Sequence, residues 1–149
     1  MTNRSMWLSL ARAALAIVIG MMLTTLIVEA IELGLVLWSS GQTFAVLEAD
    51  RGLYFNERNQ TWILGSKLAY TVLGAALAGW VATKVAGEFR RSAVSILVVL
   101  QALSLVWGGF FSELGSTAPT WLWLALPICT SVGFYAGYRL AVGRVSSQV

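Results

Sequence analysis

Histidine is absent from this chain, cysteine occurs once, and only 11% of the residues are charged. The single cysteine, Cys129, excludes an intrachain disulfide. Without histidine or a cysteine cluster, the sequence lacks the ligand sets typical of zinc and haem sites. We therefore expect no metal and no cofactor. Since no nucleophile or histidine accompanies the acidic residues, we also expect no enzymatic activity.

Apolar residues make up 58% of the sequence, and the mean hydropathy is +0.76. Four apolar segments reach the length of about twenty residues that a bilayer core requires. They cover approximately residues 13–38, 61–82, 93–112 and 121–142. The sequence therefore predicts an all-α integral membrane four-helix bundle, with residues 1–149 forming a single four-span transmembrane domain.

The first span follows Arg4 and Arg12, as the apolar part of a signal peptide would. Its apolar run is longer than the roughly 7–15 residues of a signal peptide, and no A-x-A cleavage site follows. We therefore expect an uncleaved first span.

The distribution of cations predicts the orientation, because lysine and arginine are retained on the cytoplasmic side of short loops. Only Arg51 and Arg58 fall on the opposite side, where four acidic residues dilute them. We therefore expect both termini in the cytoplasm and see no need for nucleic acid as a partner. The seven cations on the cytoplasmic side are Arg4, Arg12, Lys84, Arg90, Arg91, Arg139 and Arg144.

Three ionisable residues lie inside the apolar spans: Glu29 and Glu32 in the first, and Lys67 in the second. Glu32 and Lys67 each lie about six residues below the same membrane face, which is roughly 9 Å at 1.5 Å per residue. A helical hairpin therefore brings them to one depth. Charged residues inside a membrane are costly and mark polar sites.

Small residues predict which helix faces point inward, since membrane helices approach closely through them. In the second span they share a stripe with Lys67, so this side chain is expected to face the bundle. In the first span, Glu29 and Glu32 are expected to share one face. The packing residues predicted in the second and fourth spans are Gly74, Ala78, Gly133 and Gly137.

Two interpretations of the charged trio stay open. In the first, Glu32 and Lys67 form a buried pair that fixes the register of two spans, while Glu29 bonds to Tyr70, Thr71 or Gln101. In the second, Glu29 and Glu32 line a polar cavity near the outer leaflet and bind a cation, a proton or a small amphiphile. Lys67 would then tune their charge.

The first outer loop, Ser39–Gln60, mixes aromatic and apolar residues with charges. It could form a short interfacial helix over the outer mouth of the bundle, or a tethering loop. If it covers the mouth, Asp50, Arg51 and Glu57 lie at the rim of the predicted site.

The chain resembles a family of small four-span bacterial inner-membrane proteins. The resemblance rests on the acidic residues of the first span, the loop of about twenty residues, the small-residue run Leu73–Ala82 and the sequence Pro119-Thr120-Trp121. It implies four spans in the inner membrane and no particular activity. A histidine before the Pro-x-Trp sequence of that family is absent here.

These observations predict a non-enzymatic accessory, scaffolding or partner-binding membrane subunit with a buried polar site near the outer leaflet. The alternative is a small transporter or channel component that binds its ligand at Glu29 and Glu32. Membrane lipid is the expected partner in both cases. Other membrane subunits or further copies of this chain would complete a scaffold or a conduction path.

Overall fold

The computed structural model describes residues 3–143, and all regular secondary structure in that range is helical. The prediction of an all-α chain is confirmed. Two 3-10 turns, Gly87–Phe89 and Glu113–Thr117, precede and follow the fifth α-helix. The six α-helices are α1 Asn3–Ser40, α2 Phe44–Ala49, α3 Arg51–Arg58, α4 Thr61–Ala86, α5 Arg90–Phe110 and α6 Thr120–Gly143.

Two helical stretches, Ser5–Ser40 and Thr61–Phe110, are long and apolar enough to cross a membrane by length and composition. The second contains both α4 and α5, which meet at Gly87 with its positive φ of 59°. This finding points to membrane association, while the count of four spans stays a prediction. Helix α1 begins about ten residues before the predicted span, because no glycine or proline interrupts that stretch.

Helices α1 and α4 run antiparallel. At one end, the Trp38 and Trp62 rings meet edge to face with centroids 6.0 Å apart. At the other end, the Arg12 side chain lies beside Gly87. Helix α4 packs along both α1 and α6, and α5 packs mainly against α6.

Helices α4 and α6 approach each other backbone to backbone at two glycines. A methyl group on Gly133 would lie 2.5 Å from the Val72 carbonyl oxygen. A methyl group on Gly137 would overlap the carbonyl oxygen of Ala76. Only a residue without a side chain permits this separation, so the spacing of these glycines sets the contact between the two helices within the chain.

The other two predicted packing residues, on α4, are also buried. Gly74 faces α1, where an added methyl group would lie 3.1 Å from Cγ2 of Ile27. Ala78 is fully buried in the main core cluster. The small-residue stripe of α4 therefore faces neighbouring helices.

The main core cluster is rich in alanine, and many large apolar side chains lie on the outside. Alanines from three helices surround Phe134, which is completely buried. On each long helix, leucines point away from the other helices and are exposed by 60% or more: Leu26, Leu73, Leu103 and Leu140.

The first outer loop forms two short helices, α2 and α3. The sequence allowed either one short helix or a tethering loop here. Leu47 of α2 is buried against Val36 and Ile63. Asp50 caps α3, because its side chain accepts a hydrogen bond from the backbone N–H of Leu53 at 3.0 Å. Leu53 and Tyr54 of α3 pack against the same cluster, so both short helices lie against the adjoining ends of α1 and α4.

The glycine contact between α4 and α6 gives a first test. Replacing Gly137 by alanine places a methyl group on a backbone carbonyl and should destabilise the protein by about 1–3 kcal/mol or more. The matched control is Gly65→Ala on α4, where nothing lies within 4 Å. The control should be neutral or slightly stabilising. Thermal unfolding in mild detergent measures both, and equal melting temperatures would contradict the predicted contact.

Candidate functional site

The carboxylate of Glu32 is the centre of the polar interior. The residue is 1% exposed. Oxygen Oε1 lies 2.8 Å from Nε of Arg58 and accepts a hydrogen bond from the Tyr54 hydroxyl at 3.3 Å. Oxygen Oε2 forms an ion pair with Nζ of Lys67 and accepts from the Tyr70 hydroxyl at 3.3 Å. Two cations and two hydroxyls therefore surround one buried negative charge.

Three helices supply these groups. Glu32 lies on α1 and Lys67 on α4, at the common depth that residue counting predicted. Arg58 is the last residue of α3, and its guanidinium lies over the Phe55 ring at 5.6 Å. The ion pairs therefore join the outer helix to the two long helices beneath it.

Sequence reasoning missed Arg58 and Tyr54. Arg58 was counted as a charge of the outer loop, yet it is only 8% exposed. A signal for this was present: Tyr54 and Arg58 are four residues apart and share one face of α3. This polar face, placed over the acidic residues of the first span, predicts that Tyr54 and Arg58 contact Glu32.

Glu29 behaves differently from Glu32. Its side chain is exposed, although both glutamates line the same cavity. A step of three residues turns about 300° around an α-helix, so the two side chains diverge by about 60°. Tyr70 was one of three residues expected to form a hydrogen bond with Glu29. Its hydroxyl instead donates to Glu32.

A cavity of about 400 Å³ opens beside these charges. All four long helices and α3 contribute to its wall. Of the six predicted site residues, Glu29, Glu32, Lys67, Thr71 and Gln101 line it, whereas Tyr70 reaches only the Glu32 carboxylate. The remaining lining residues are Thr24, Thr25, Val28, Tyr54, Phe55, Arg58, Ser104, Leu105, Gly108, Thr117, Trp123, Leu126 and Thr130.

Several buried polar atoms on this wall have no hydrogen-bond partner. They are Oγ1 of Thr71, Oε1 of Gln101 and Nε1 of Trp123. The three residues are 2%, 8% and 8% exposed. Nε of Arg58 is also buried, and its approach to Glu32 lacks hydrogen-bond geometry. Unpaired buried polar groups cost free energy, so a cavity that collects them is a candidate binding site.

A second, largely apolar groove of about 510 Å³ lies between α1 and the two outer helices. It shares Glu29, Tyr54 and Phe55 with the cavity. Its other lining residues are Leu26, Ala30, Leu33, Phe44, Leu47, Glu48 and Arg51. Of the three predicted rim charges, only Arg51 lines it.

Among residues 3–143, no three His, Cys, Asp or Glu side chains lie close enough together to hold a metal ion. The Glu32 carboxylate is already engaged by Arg58 and Lys67.

No protein-family model, curated protein or solved structure matches this chain.

The charge cluster predicts a graded set of stability changes. Removing one partner of a buried ion pair typically costs about 3–5 kcal/mol, because the other charge stays buried. Glu32→Gln leaves two cations uncompensated and should be the most destabilising variant. Lys67→Met should cost less, because Arg58 still neutralises Glu32. The double variant Glu32→Gln/Lys67→Met should recover only part of the loss, since Arg58 remains.

Thermal unfolding in detergent measures this series, with Glu113→Gln as the control because Glu113 is exposed and lines neither the cavity nor the groove. A neutral or stabilising Glu32→Gln would show that the ion pairs do not support the fold.

We expect ionisation of the Tyr54 hydroxyl at high pH to lower the free energy of unfolding. Burial and the neighbouring Glu32 carboxylate raise the pKa of Tyr54 to about 12, from 10.0. The neutral phenol is therefore favoured in the folded state. Its contribution to stability is fully present below about pH 10 and is lost as the pH rises to about 12.

Unfolding at several pH values should show a smaller loss over this window in Tyr54→Phe than in the parent. Identical profiles would contradict the assignment. Tyr135→Phe is the control, because Tyr135 is exposed on α6.

Proposed function

We propose that this chain is a non-enzymatic integral membrane protein of four spans, formed by α1, α4, α5 and α6 as one domain. We place it in the inner membrane of a bacterium, with both termini in the cytoplasm. Its role is that of an accessory, scaffolding or partner-binding subunit. Lipid surrounds it, and its protein partners are other membrane subunits or further copies of this chain.

The distribution of apolar surface supports the membrane assignment. Soluble monomers rarely expose large contiguous apolar patches, yet all four long helices carry exposed leucines on their outer faces. The polar side chains gather inside, around Glu32 and the cavity. Helix α5, with 21 residues, is about 31 Å long and so matches a bilayer core of about 30 Å.

The positions of the cations support the orientation. Lys84, Arg90 and Arg139 lie at the helix ends far from α3. Nζ of Lys84 lies 3.4 Å from the Ala141 carbonyl oxygen in the last turn of α6, where a cation is favourable. Arg144 lies outside the described residues. Basic residues at this end agree with a cytoplasmic location.

The neutralisation of Glu32 is the observation that carries the accessory role. A carrier for cations needs an acid that is free to take its ligand. Here Arg58 and Lys67 both engage that acid, and two tyrosine hydroxyls complete its surroundings. The cluster thus serves to hold α1, α3 and α4 together.

A second candidate function, that of a small transporter or channel component, is favoured by Glu29 and the cavity. Glu29 is exposed at the wall shared by the cavity and the groove. This carboxylate, unlike Glu32, is accessible to a cation, a proton or a small amphiphile.

Site-directed labelling tests the membrane assignment. In a Cys129→Ala background, Asn56→Cys on α3 and Glu88→Cys in the α4–α5 turn form a matched pair of exposed positions. An impermeant maleimide should label Asn56→Cys in intact spheroplasts and Glu88→Cys only after lysis. Labelling of both before lysis, or the reverse pattern, would contradict the proposed topology.

Composition of the purified complex tests the role. Gentle solubilisation followed by mass spectrometry should recover unrelated membrane chains in a fixed ratio if the protein is an accessory subunit. Transport of a solute in liposomes by the purified chain alone, as a monomer or as a homo-oligomer, would favour the transporter or channel component.

A further inference from the structure

The polar cavity and the apolar groove lie next to each other. Glu29, Tyr54 and Phe55 line both of them. The cavity holds about 400 Å³ and the groove about 510 Å³, each within the range of small-molecule sites. A ligand occupying both would have a polar end among the long helices and an apolar end between α1 and the outer helices.

The unpaired atoms of the cavity describe the polar end of such a ligand. Gln101 Oε1 is a hydrogen-bond acceptor, and the Thr71 hydroxyl can also accept. Trp123 Nε1–H is a donor without a partner. Each of these residues is more than nine-tenths buried. A ligand that forms hydrogen bonds with all three side chains must therefore carry both donors and acceptors.

The charges of the cavity restrict the ligand further. The lining contains two carboxylates, Glu29 and Glu32, and two cations, Arg58 and Lys67, so the formal charges balance. Both cations pair with Glu32, while no ion pair within the described residues involves Glu29. A cation alone would pair with Glu29 and leave the net positive charge of the Glu32, Arg58 and Lys67 cluster unmatched. A zwitterion can place its cation at Glu29 and its anion near the paired cations.

The groove supplies the place for an apolar chain. Leu26 is 63% exposed and Phe44 54% exposed, and both line it. Only Glu29, Glu48 and Arg51 among its lining residues are charged. Such a groove beside a polar cavity matches the shape of an amphiphile.

We propose that the cavity and the adjacent groove together bind a zwitterionic amphiphile whose head carries a primary ammonium and a phosphate. The ammonium has three N–H donors for Glu29, Gln101 and Thr71. The phosphate accepts from Trp123 and lies on the side of Arg58. The apolar chain lies in the groove along α1. This inference rests on the membrane location in the proposed function and specifies the ligand of the second candidate.

Native mass spectrometry of the full chain in mild detergent tests the proposal. The probes are lysophosphatidylethanolamine, lysophosphatidylcholine and lysophosphatidylglycerol with one common acyl chain, and free phosphoethanolamine. We expect one lysophosphatidylethanolamine to be retained per chain, and about tenfold weaker retention of the other two lipids. The choline head lacks N–H donors, and the glycerol head lacks the cation.

Variants locate the binding. Glu29→Gln and Gln101→Leu should each weaken retention of the ethanolamine lipid about tenfold and so reduce its preference over the others. Leu26→Trp should block the groove for every chain-bearing probe. The controls are Glu113→Gln and Leu73→Trp, which change residues outside both spaces and should retain the lipid as the parent does.

Several outcomes would overturn the proposal. Equal retention of all three head groups, no retention, or retention unchanged by Glu29→Gln would each do so. Equal retention of free phosphoethanolamine would show that the groove takes no chain. If Asn56→Cys and Glu88→Cys label as expected while the lipid is not retained, only this inference fails. If the labelling itself fails, the membrane location fails too.

Discussion

The pairing of the Glu32 carboxylate with Arg58 and Lys67 is the interaction on which the arrangement of α1, α3 and α4 depends. A charge that is 1% exposed is tolerated only when opposite charges and hydrogen bonds replace its water. These partners come from α3 and α4, so satisfying one carboxylate also fixes the position of three helices. Because Arg58 and Lys67 also line the cavity, the same contacts shape its wall.

The cavity follows from an uneven distribution of small residues. Gly133 and Gly137 bring α6 against the backbone of α4, and the tightest packing lies there. Helices α1 and α5 contact each other much less, and polar side chains from both line the space between. Exposed leucines on all four long helices and unpaired polar atoms inside are the features that the proposed lipid surroundings and bound ligand require.

Much of the helical architecture was accessible from the sequence. Apolar segments of sufficient length predicted the four long helices, and three of them both begin and end within about four residues of the expected positions. The depth of Glu32 and Lys67 follows from counting along each helix, since the rise per residue is constant. Glu29 and Glu32 both line the cavity, but only Glu32 is buried, because a stripe of five positions is wider than the face a neighbouring helix covers.

The sequence by itself determined that the chain is helical, that its long helices are apolar, and which charges lie within them. These properties depend on local composition and on the fixed geometry of an α-helix. Only the tertiary structure decided that Arg58 and Tyr54 reach Glu32, and that Trp123, Gln101 and Thr71 line one cavity without partners. Such contacts join residues far apart in the chain, and their formation depends on how the helices pack in three dimensions.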